Sequence, residues 1–175
     1  MSPGKTSVGH KNWRSMTPYQ VNVAAEAYAA FLLSTAGYDV ALQYGTKQPA
    51  WDLIATKEQR TLHISVKGSQ DGGWGLFANF KTARSYSEAV DAWFTAQIPQ
   101  IVYLFVQFKG VAVPNSPRAY IVRPGDIVEH MRTTRAGNCD SSLLKDYTYS
   151  RGIAAGSHDL IPQLWSVSQH RIDAV

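Results

Sequence analysis

The stretch LHISVKGS, Leu62 to Ser69, decides the fold because its side chains alternate in chemistry along an extended chain. Its leucine, isoleucine and valine would face one side of a strand, and His63, Ser65 and Lys67 would face the other. The polar face therefore ends on a lysine, at the end of the predicted strand. A lysine in this place either keeps a sheet edge soluble or supplies the positive charge of an active site.

A second strand is predicted just upstream, over residues 51–56 with the sequence WDLIAT. Only the polar residues KEQR at 57–60 separate it from the strand TLHISVKGS that contains the stretch above, so the two strands should form an antiparallel hairpin. Asp52 would lie on the opposite face of its strand from its two neighbours. The hairpin therefore predicts that Asp52 lies near Ser65 and Lys67.

A helix is predicted before this hairpin. Thr17 and Pro18 are typical of a helix start, and Gly37 stands where the helix would end. The segment between them is rich in alanine, which would let the helix lie close to a sheet, and Glu26 is its only ionisable carboxylate. Composition alone favours the solvent edge for this acid, but packing of the helix on the hairpin would bring it to Asp52.

The remaining elements follow from apolar runs and turn residues. The run IVYLFVQF is nearly continuous in β-forming residues, which suits a strand buried on both faces. The predictions are strands at 38–44, 101–108 and 118–122, helices at 83–97 and from about Asp126, a loop over 136–157, and a tail that packs back through Leu160, Leu164, Trp165 and Ile172. This order predicts a central mixed β-sheet flanked by helices, in the α/β (α+β) class.

Length and composition predict a single domain over residues 17–175, preceded by a flexible N-terminal arm over residues 1–16. Apolar residues make up 45% of the chain and charged residues 17%, which is typical of a globular protein. No run approaches the roughly 18 apolar residues of a membrane span, and the first residues lack the apolar stretch of a signal peptide. We therefore expect a cytoplasmic protein without a membrane partner.

The net charge of +4 and the pI near 9.2 permit a polyanionic partner. Trp74, among glycines beyond Lys67, is predicted to stack on nucleic-acid bases, and Lys81 and Arg84 to contact phosphates. A core tryptophan and a solvated charged face are the alternatives. The single cysteine, Cys139, excludes an internal disulfide and argues against a thiolate zinc site.

The chemistry of Asp52, Glu26 and Lys67 suits metal-assisted hydrolysis of a phosphodiester. Carboxylate oxygens are the ligands that Mg²⁺ prefers, with water and phosphate oxygens in the remaining positions. The metal would polarise the phosphoryl group and lower the pKa of a bound water. A lysine beside it would stabilise the developing charge or position the attacking water.

The order of these residues resembles that of the PD-(D/E)XK nuclease superfamily, which includes restriction endonucleases. The similarity covers residues 18–132 and rests on Glu26 in the first helix, Asp52 in DLIA and Lys67 in HISVKGS. It implies a restriction endonuclease-like αβββαβ core and a catalytic site that acts on DNA. It also implies Mg²⁺ or Mn²⁺ bound by Asp52, Glu26 and the backbone carbonyl of Val66. Because relatives that cut both strands are often dimers, a homodimer is a further expectation.

The chain departs from the family pattern at Ser65, where an acid or glutamine is usual, and Pro49 lies three residues before Asp52 rather than one. We expect Ser65 to face the metal. Two alternatives stay open: an impaired nuclease-like domain that binds nucleic acid or a protein without cutting, and an unrelated domain in which Asp52 and Lys67 form a surface pair. The leading interpretation is a metal-dependent nuclease of defence, repair or recombination.

Overall fold

The structure, a computed structural model, describes residues 15–43, 50–80 and 85–175. Its helices are α1 (Pro18–Thr35), α2 (Tyr86–Thr95), α3 (Pro124–Gly137) and α4 (Gln169–Ala174), with single 3₁₀ turns at Gly152–Ala154 and Gln163–Trp165. Its strands are β1 (Asp39–Leu42), β2 (Leu53–Lys57), β3 (Arg60–Ser69), β4 (Gly73–Trp74), β5 (Ile101–Gln107), β6 (Arg118–Val122), β7 (Leu143–Leu144), β8 (Asp146–Thr148) and β9 (His158–Leu160).

The centre of the fold is a five-stranded mixed sheet with the strand order β1-β2-β3-β5-β6. Strands β3 and β5 are parallel, and the other neighbours are antiparallel. The predicted hairpin of β2 and β3 is therefore confirmed, as is the α/β class with a mixed sheet flanked by helices. Helix α2 connects the parallel strands, as parallel pairing requires a long crossover.

The sheet separates two apolar cores. All seven residues of β5 are buried, which confirms the prediction of a strand covered on both faces. Alternate side chains of β5 enter opposite cores: Leu104 packs with α1 residues on one side, and Phe105 packs with Trp93 and Met131 on the other. The apolar side chains of β3, from Leu62, Ile64 and Val66, all enter the core on the α1 side, so its alternate polar residues lie on the opposite face of the strand.

Helix α1 packs very closely on the end of β3. Its start is fixed by a capping box in which the Thr17 side chain accepts a hydrogen bond from the Gln20 backbone and the Gln20 side chain accepts one from the Thr17 backbone. A Cβ atom added at Gly68 would lie 2.7 Å from the Val21 side chain and 3.0 Å from Ala25. The glycine after Lys67 and the alanines of α1 are therefore needed for this approach, which brings Glu26 to the end of the strand.

The predicted loop over residues 136–157 is wrong. This segment contains β7, which pairs with β4, and β8, which pairs with β9. Strands of two or three residues carry too little alternation to be recognised in a sequence rich in Gly and Ser. These short strands pair the segment with β4, which precedes it in the chain, and with β9, which follows it.

The C-terminal part differs from the prediction in two further respects. Helix α3 begins at Pro124, and its dihedral angles cease to be helical at Thr134. In the tail, Trp165 and Ile172 are buried as predicted, whereas Leu160 and Leu164 are exposed. None of the helices in the described ranges has both the length and the apolar character to cross a bilayer. The first 14 residues of the predicted arm lie outside these ranges.

Candidate functional site

Asp52 lies immediately before β2, where its backbone and its side chain make different contacts with β3. Its backbone N–H donates to the Ile64 carbonyl at 2.8 Å. Its carboxylate oxygen Oδ2 accepts a hydrogen bond from the Val66 backbone N–H at 2.6 Å and from the Ser65 hydroxyl at 3.4 Å. The pairing of β2 with β3 ends at Leu53 and Ile64, so the Asp52 side chain satisfies an amide beyond that pairing.

Glu26, Asp52 and Lys67 line one cavity of about 410 Å³, together with Val66. Helix α1 supplies the glutamate, the start of β2 supplies the aspartate, and β3 supplies the lysine. The other lining residues are Asn22, Gly68, Gly73, Trp74, Gly75, Leu76, Asn79, Trp93 and Tyr103. Elements far apart in the chain thus bring these predicted residues to a single cavity, which we call the acidic cavity.

The two carboxylates of the acidic cavity repel each other. Burial raises the pKa of Glu26, the negative charge of Asp52 raises it further, and the positive charge of Lys67 lowers it by a smaller amount. Within the described residues, Lys67 takes part in no salt bridge. The cavity therefore holds two carboxylates whose charge one lysine only partly offsets, and that lysine has no ion-pair partner among the described residues.

Tyr103 is a cavity residue that sequence reasoning missed. It lies opposite Ser65 in the parallel pairing of β3 and β5, and its hydroxyl donates to Gln97 Oε1 at 2.7 Å. Burial, and then the charge of Asp52, raise the pKa of Tyr103 to about 12. The phenol therefore stays protonated at neutral pH. A tyrosine within the apolar run of β5 was the available signal, because a buried phenol usually needs a polar partner.

Ser65 lies beside Asp52, and the prediction that it faces a metal stays a prediction. It is buried and hydrogen-bonded to Asp52, and it is not among the described residues that line the acidic cavity. Its hydroxyl therefore supports the Asp52 carboxylate.

The prediction that Trp74 stacks on bases is wrong. Only 3% of the residue is exposed, and its ring packs on Phe105 and Tyr120 at centroid distances of 5.1 and 6.4 Å. Its indole N–H donates to the Lys67 carbonyl at 2.9 Å. Trp74 thus fixes the backbone of the lysine. The neighbouring glycines suggested an open loop, but they flank a short strand that enters the core. The predicted phosphate contacts, Lys81 and Arg84, lie outside the described residues.

The donor set of the acidic cavity consists of oxygen atoms. Both hydrogen bonds that Asp52 accepts from described residues use Oδ2, so Oδ1 receives none from this part of the chain. The described residues contain no cluster of three or more His, Cys, Asp or Glu side chains arranged for a metal. Two carboxylates fit Mg²⁺, which is usually bound by one or two carboxylates and retains several waters.

Comparison with known proteins gives no relative: no family model matches the chain, and no curated protein matches it. The class of protein is therefore defined by the fold and the cavity alone. It is a mixed α/β domain with a carboxylate pair and a lysine around one polar cavity. This cavity lies at the end of β3, which runs parallel to β5.

Proposed function

We propose that the chain is a divalent-metal-dependent nuclease that hydrolyses phosphodiester bonds in DNA. The observation that carries this proposal is the Asp52 carboxylate, fixed by the Val66 amide at 2.6 Å in a cavity that Glu26 and Lys67 also line. The order of helix, three strands, helix and strand around this cavity supports the same interpretation. The resemblance to PD-(D/E)XK nucleases had indicated these three residues from the sequence.

Asp52, Glu26 and the Val66 carbonyl would hold Mg²⁺ or Mn²⁺. When bound, the ion supplies Lewis-acid polarisation of the phosphate and a water of lowered pKa. The hydrogen bond from the Val66 amide orients Asp52 and leaves its Oδ1 for the ion. Because the two carboxylates repel each other, a cation between them would remove an unfavourable interaction that burial makes worse.

Lys67 would contact a nonbridging oxygen of the scissile phosphate. Its backbone is held by the Trp74 indole, and Gly68 is packed against α1, so the base of this flexible side chain has a fixed position. A positive charge placed in advance near the reacting phosphate stabilises the charge that develops in the transition state. The basic net charge of the chain favours a polyanionic substrate in general, and the family resemblance favours DNA.

A second candidate function is supported by one observation, the burial of a serine under Asp52. A nuclease of this family usually has a further acid or a glutamine at the place of Ser65. A site with only two carboxylates could bind metal too weakly for catalysis, in which case the domain would bind nucleic acid or a protein without cutting it. Salt-sensitive DNA binding without cleavage would identify that case.

The test is cleavage of linear, circular, branched and single-stranded DNA, and of RNA, with Mg²⁺, Mn²⁺ or EDTA. We expect cleavage that requires a divalent metal and is lost in Asp52→Asn and Lys67→Ala. The matched control is Asp39→Asn, because Asp39 is exposed on β1 and does not line the cavity. If no substrate is cut with either metal, the nuclease proposal is refuted for those substrates, and DNA binding then decides whether the second candidate stands.

A further inference from the structure

A second cavity shares a wall with the acidic cavity. The wall is the five-residue segment that follows β4: Leu76 and Asn79 line the acidic cavity, whereas Phe77, Ala78 and Phe80 line the other. The second cavity has a volume of about 570 Å³. That volume lies within the range of roughly 300–1,000 Å³ that is usual for sites that bind small organic groups.

The second cavity contains a stacking platform. The guanidinium of Arg135 lies over the ring of Tyr86, 5.1 Å from the ring centroid, and 42% of Tyr86 is exposed. Around these two residues the walls are mainly apolar, with a few polar groups; the other lining residues are Phe77, Ala78, Phe80, Ser85, Ala89, Asn138, Ser141 and Ile153. Aromatic rings and guanidinium planes are the groups on which proteins stack unpaired nucleobases.

The backbone that carries Arg135 is strained. Arg135 and Ala136 have φ values of 52° and 55°, in the left-handed region that is unfavourable for residues with a Cβ. The Arg135 N–H is held in this place by Asp159, whose two carboxylate oxygens lie 3.2 and 3.0 Å away. Such strain is retained where the surrounding structure imposes it, and it is concentrated at ligand sites.

We infer that the second cavity binds a nucleobase of the substrate, stacked on the platform of Tyr86 and Arg135, while a phosphate of the same strand occupies the acidic cavity. This inference rests on the proposed function, which it makes more specific. A base within a duplex is stacked between its neighbours and cannot enter a cavity in the protein. The substrate is therefore single-stranded DNA or DNA with a locally unpaired nucleotide.

The first test measures binding of a fluorescein-labelled single-stranded DNA oligonucleotide by anisotropy, in EDTA so that metal-dependent cleavage does not occur. Tyr86→Ala is expected to weaken binding by roughly 5- to 150-fold, the range that follows from the stacking contribution of one base, and Tyr86→Trp to restore it. Phe94→Ala is the matched control, because Phe94 lies on the same helix, is 46% exposed and does not line this cavity. An equal loss in Tyr86→Ala and Phe94→Ala would overturn the inference.

The second test repeats these measurements with an oligonucleotide of the same length in which every nucleotide lacks its base. The wild-type protein should bind this strand more weakly than the normal strand, and Tyr86→Ala should cause no further loss on it. If Tyr86→Ala weakens binding to both strands by the same factor, the side chain does not stack on a base and the inference is wrong. Unaltered binding of a complementary duplex by Tyr86→Ala would support the preference for unpaired bases.

The inference and the proposed function fail in different ways. If the wild-type protein cleaves DNA in a manner that needs Asp52 but Tyr86→Ala behaves as Phe94→Ala does, the base site is refuted and the nuclease stands. If base-dependent binding is lost in Tyr86→Ala but no metal supports cleavage, the base site stands and the nuclease is refuted. If the wild-type protein binds no oligonucleotide, the base site is overturned. The second cavity would then be free for a different occupant, such as an apolar group of a protein partner.

Discussion

Among the described residues, Asp140 and Asp159 form one pair of carboxylates, the closed pair, and Asp52 and Glu26 form another, the open pair, and hydrogen-bond donors of the protein join only the closed pair. Asp140 and Asp159 lie on either side of Tyr149, whose hydroxyl is 2.8 Å from one carboxylate and 2.9 Å from the other. Asp52 and Glu26, by contrast, line a cavity with no hydroxyl or amide donor shared between them among the described residues. A pair satisfied by internal donors indicates structure, and a pair left facing a cavity indicates a ligand.

The closed pair is satisfied by several donors. The Tyr149 hydroxyl has one hydrogen and donates to one carboxylate at a time, while the Arg135 N–H donates to Asp159 and the Ser142 N–H donates to Asp140. Burial and the two neighbouring carboxylates raise the pKa of Tyr149, so its phenol keeps its proton. In the open pair, burial and then the charge of Asp52 raise the pKa of Glu26.

The largest expected effect in this comparison is on the open pair. Asp52→Asn keeps an oxygen that accepts from the Val66 amide but removes the negative charge, so we expect cleavage to fall by at least about 100-fold. Loss of a residue that only supports a metal ligand costs about 10- to 100-fold, and a direct ligand should cost no less. The measurement is kcat/KM with saturating Mg²⁺, with Asp39→Asn as the control. Activity within tenfold of wild type would show that Asp52 is not a ligand.

The next effect concerns the closed pair, where we expect a loss of stability without a loss of activity. Tyr149→Phe leaves the carboxylates of Asp140 and Asp159 without their shared donor, so we expect a loss of about 1–3 kcal/mol in the free energy of unfolding. The acidic cavity lacks these residues, so kcat at saturating substrate, at a temperature well below unfolding, should be unaltered. Urea unfolding and kcat together test this separation. A large loss of activity in a folded Tyr149→Phe protein would contradict it.

The two pairs also differ in how far the sequence predicts them. The proximity of Asp52 and Lys67 could be predicted, because a short hairpin places their strands side by side. The face on which each side chain lies follows from the alternation of neighbouring residues along a strand. Glu26 could be placed only through the family resemblance, since nothing in its helix states which strand the helix covers. Asp140 and Asp159 gave no signal, because they meet at Tyr149 through a loop and a three-residue strand pair whose residues show no recognisable alternation.

The same limit explains the errors in the fold. The capping residues of α1 and the apolar run of β5 act locally, and those elements were predicted correctly. Trp74 was misread because its burial depends on Phe105 and Tyr120, which lie more than 30 residues away. Patterns that repeat within one element could thus be inferred from the sequence, whereas contacts made by single residues between elements could not.

A smaller effect follows from the pKa of Glu26, which lies above its ordinary value of 4.5 in the folded protein. The folded state therefore binds the proton more tightly than the unfolded chain, and this contribution to stability is present at low pH and is lost as the pH rises through the raised pKa. Without metal, Glu26→Gln should consequently be slightly more stable than wild type at neutral pH, and solvent screening of this partly buried group keeps the gain small. The gain should disappear below pH 4.5.

Added Mg²⁺ should reverse this order if Glu26 is a metal ligand. A ligand that binds only the folded state raises its stability, so Mg²⁺ should raise the melting temperature of wild type more than that of Glu26→Gln. Thermal unfolding with and without the ion, at pH 4 and pH 7, gives all the comparisons needed. Equal stabilisation of both proteins by Mg²⁺ would remove Glu26 from the metal site.

The smallest effect is expected at Ser65, and it decides whether this residue belongs to the open pair. The Ser65 hydroxyl is 3.4 Å from Asp52, whereas the Val66 amide is 2.6 Å away, so the amide alone can hold the carboxylate in place. We therefore expect Ser65→Ala to lower cleavage by less than about tenfold and stability by about 1 kcal/mol, the net contribution of one hydrogen bond. Ser65→Asp, which adds a third buried carboxylate beside Asp52, should lower stability without metal by more than Ser65→Ala does. A loss of cleavage in Ser65→Ala as large as in Asp52→Asn would instead show that the hydroxyl itself binds the metal or the substrate, because removal of a weak supporting contact could not have that effect.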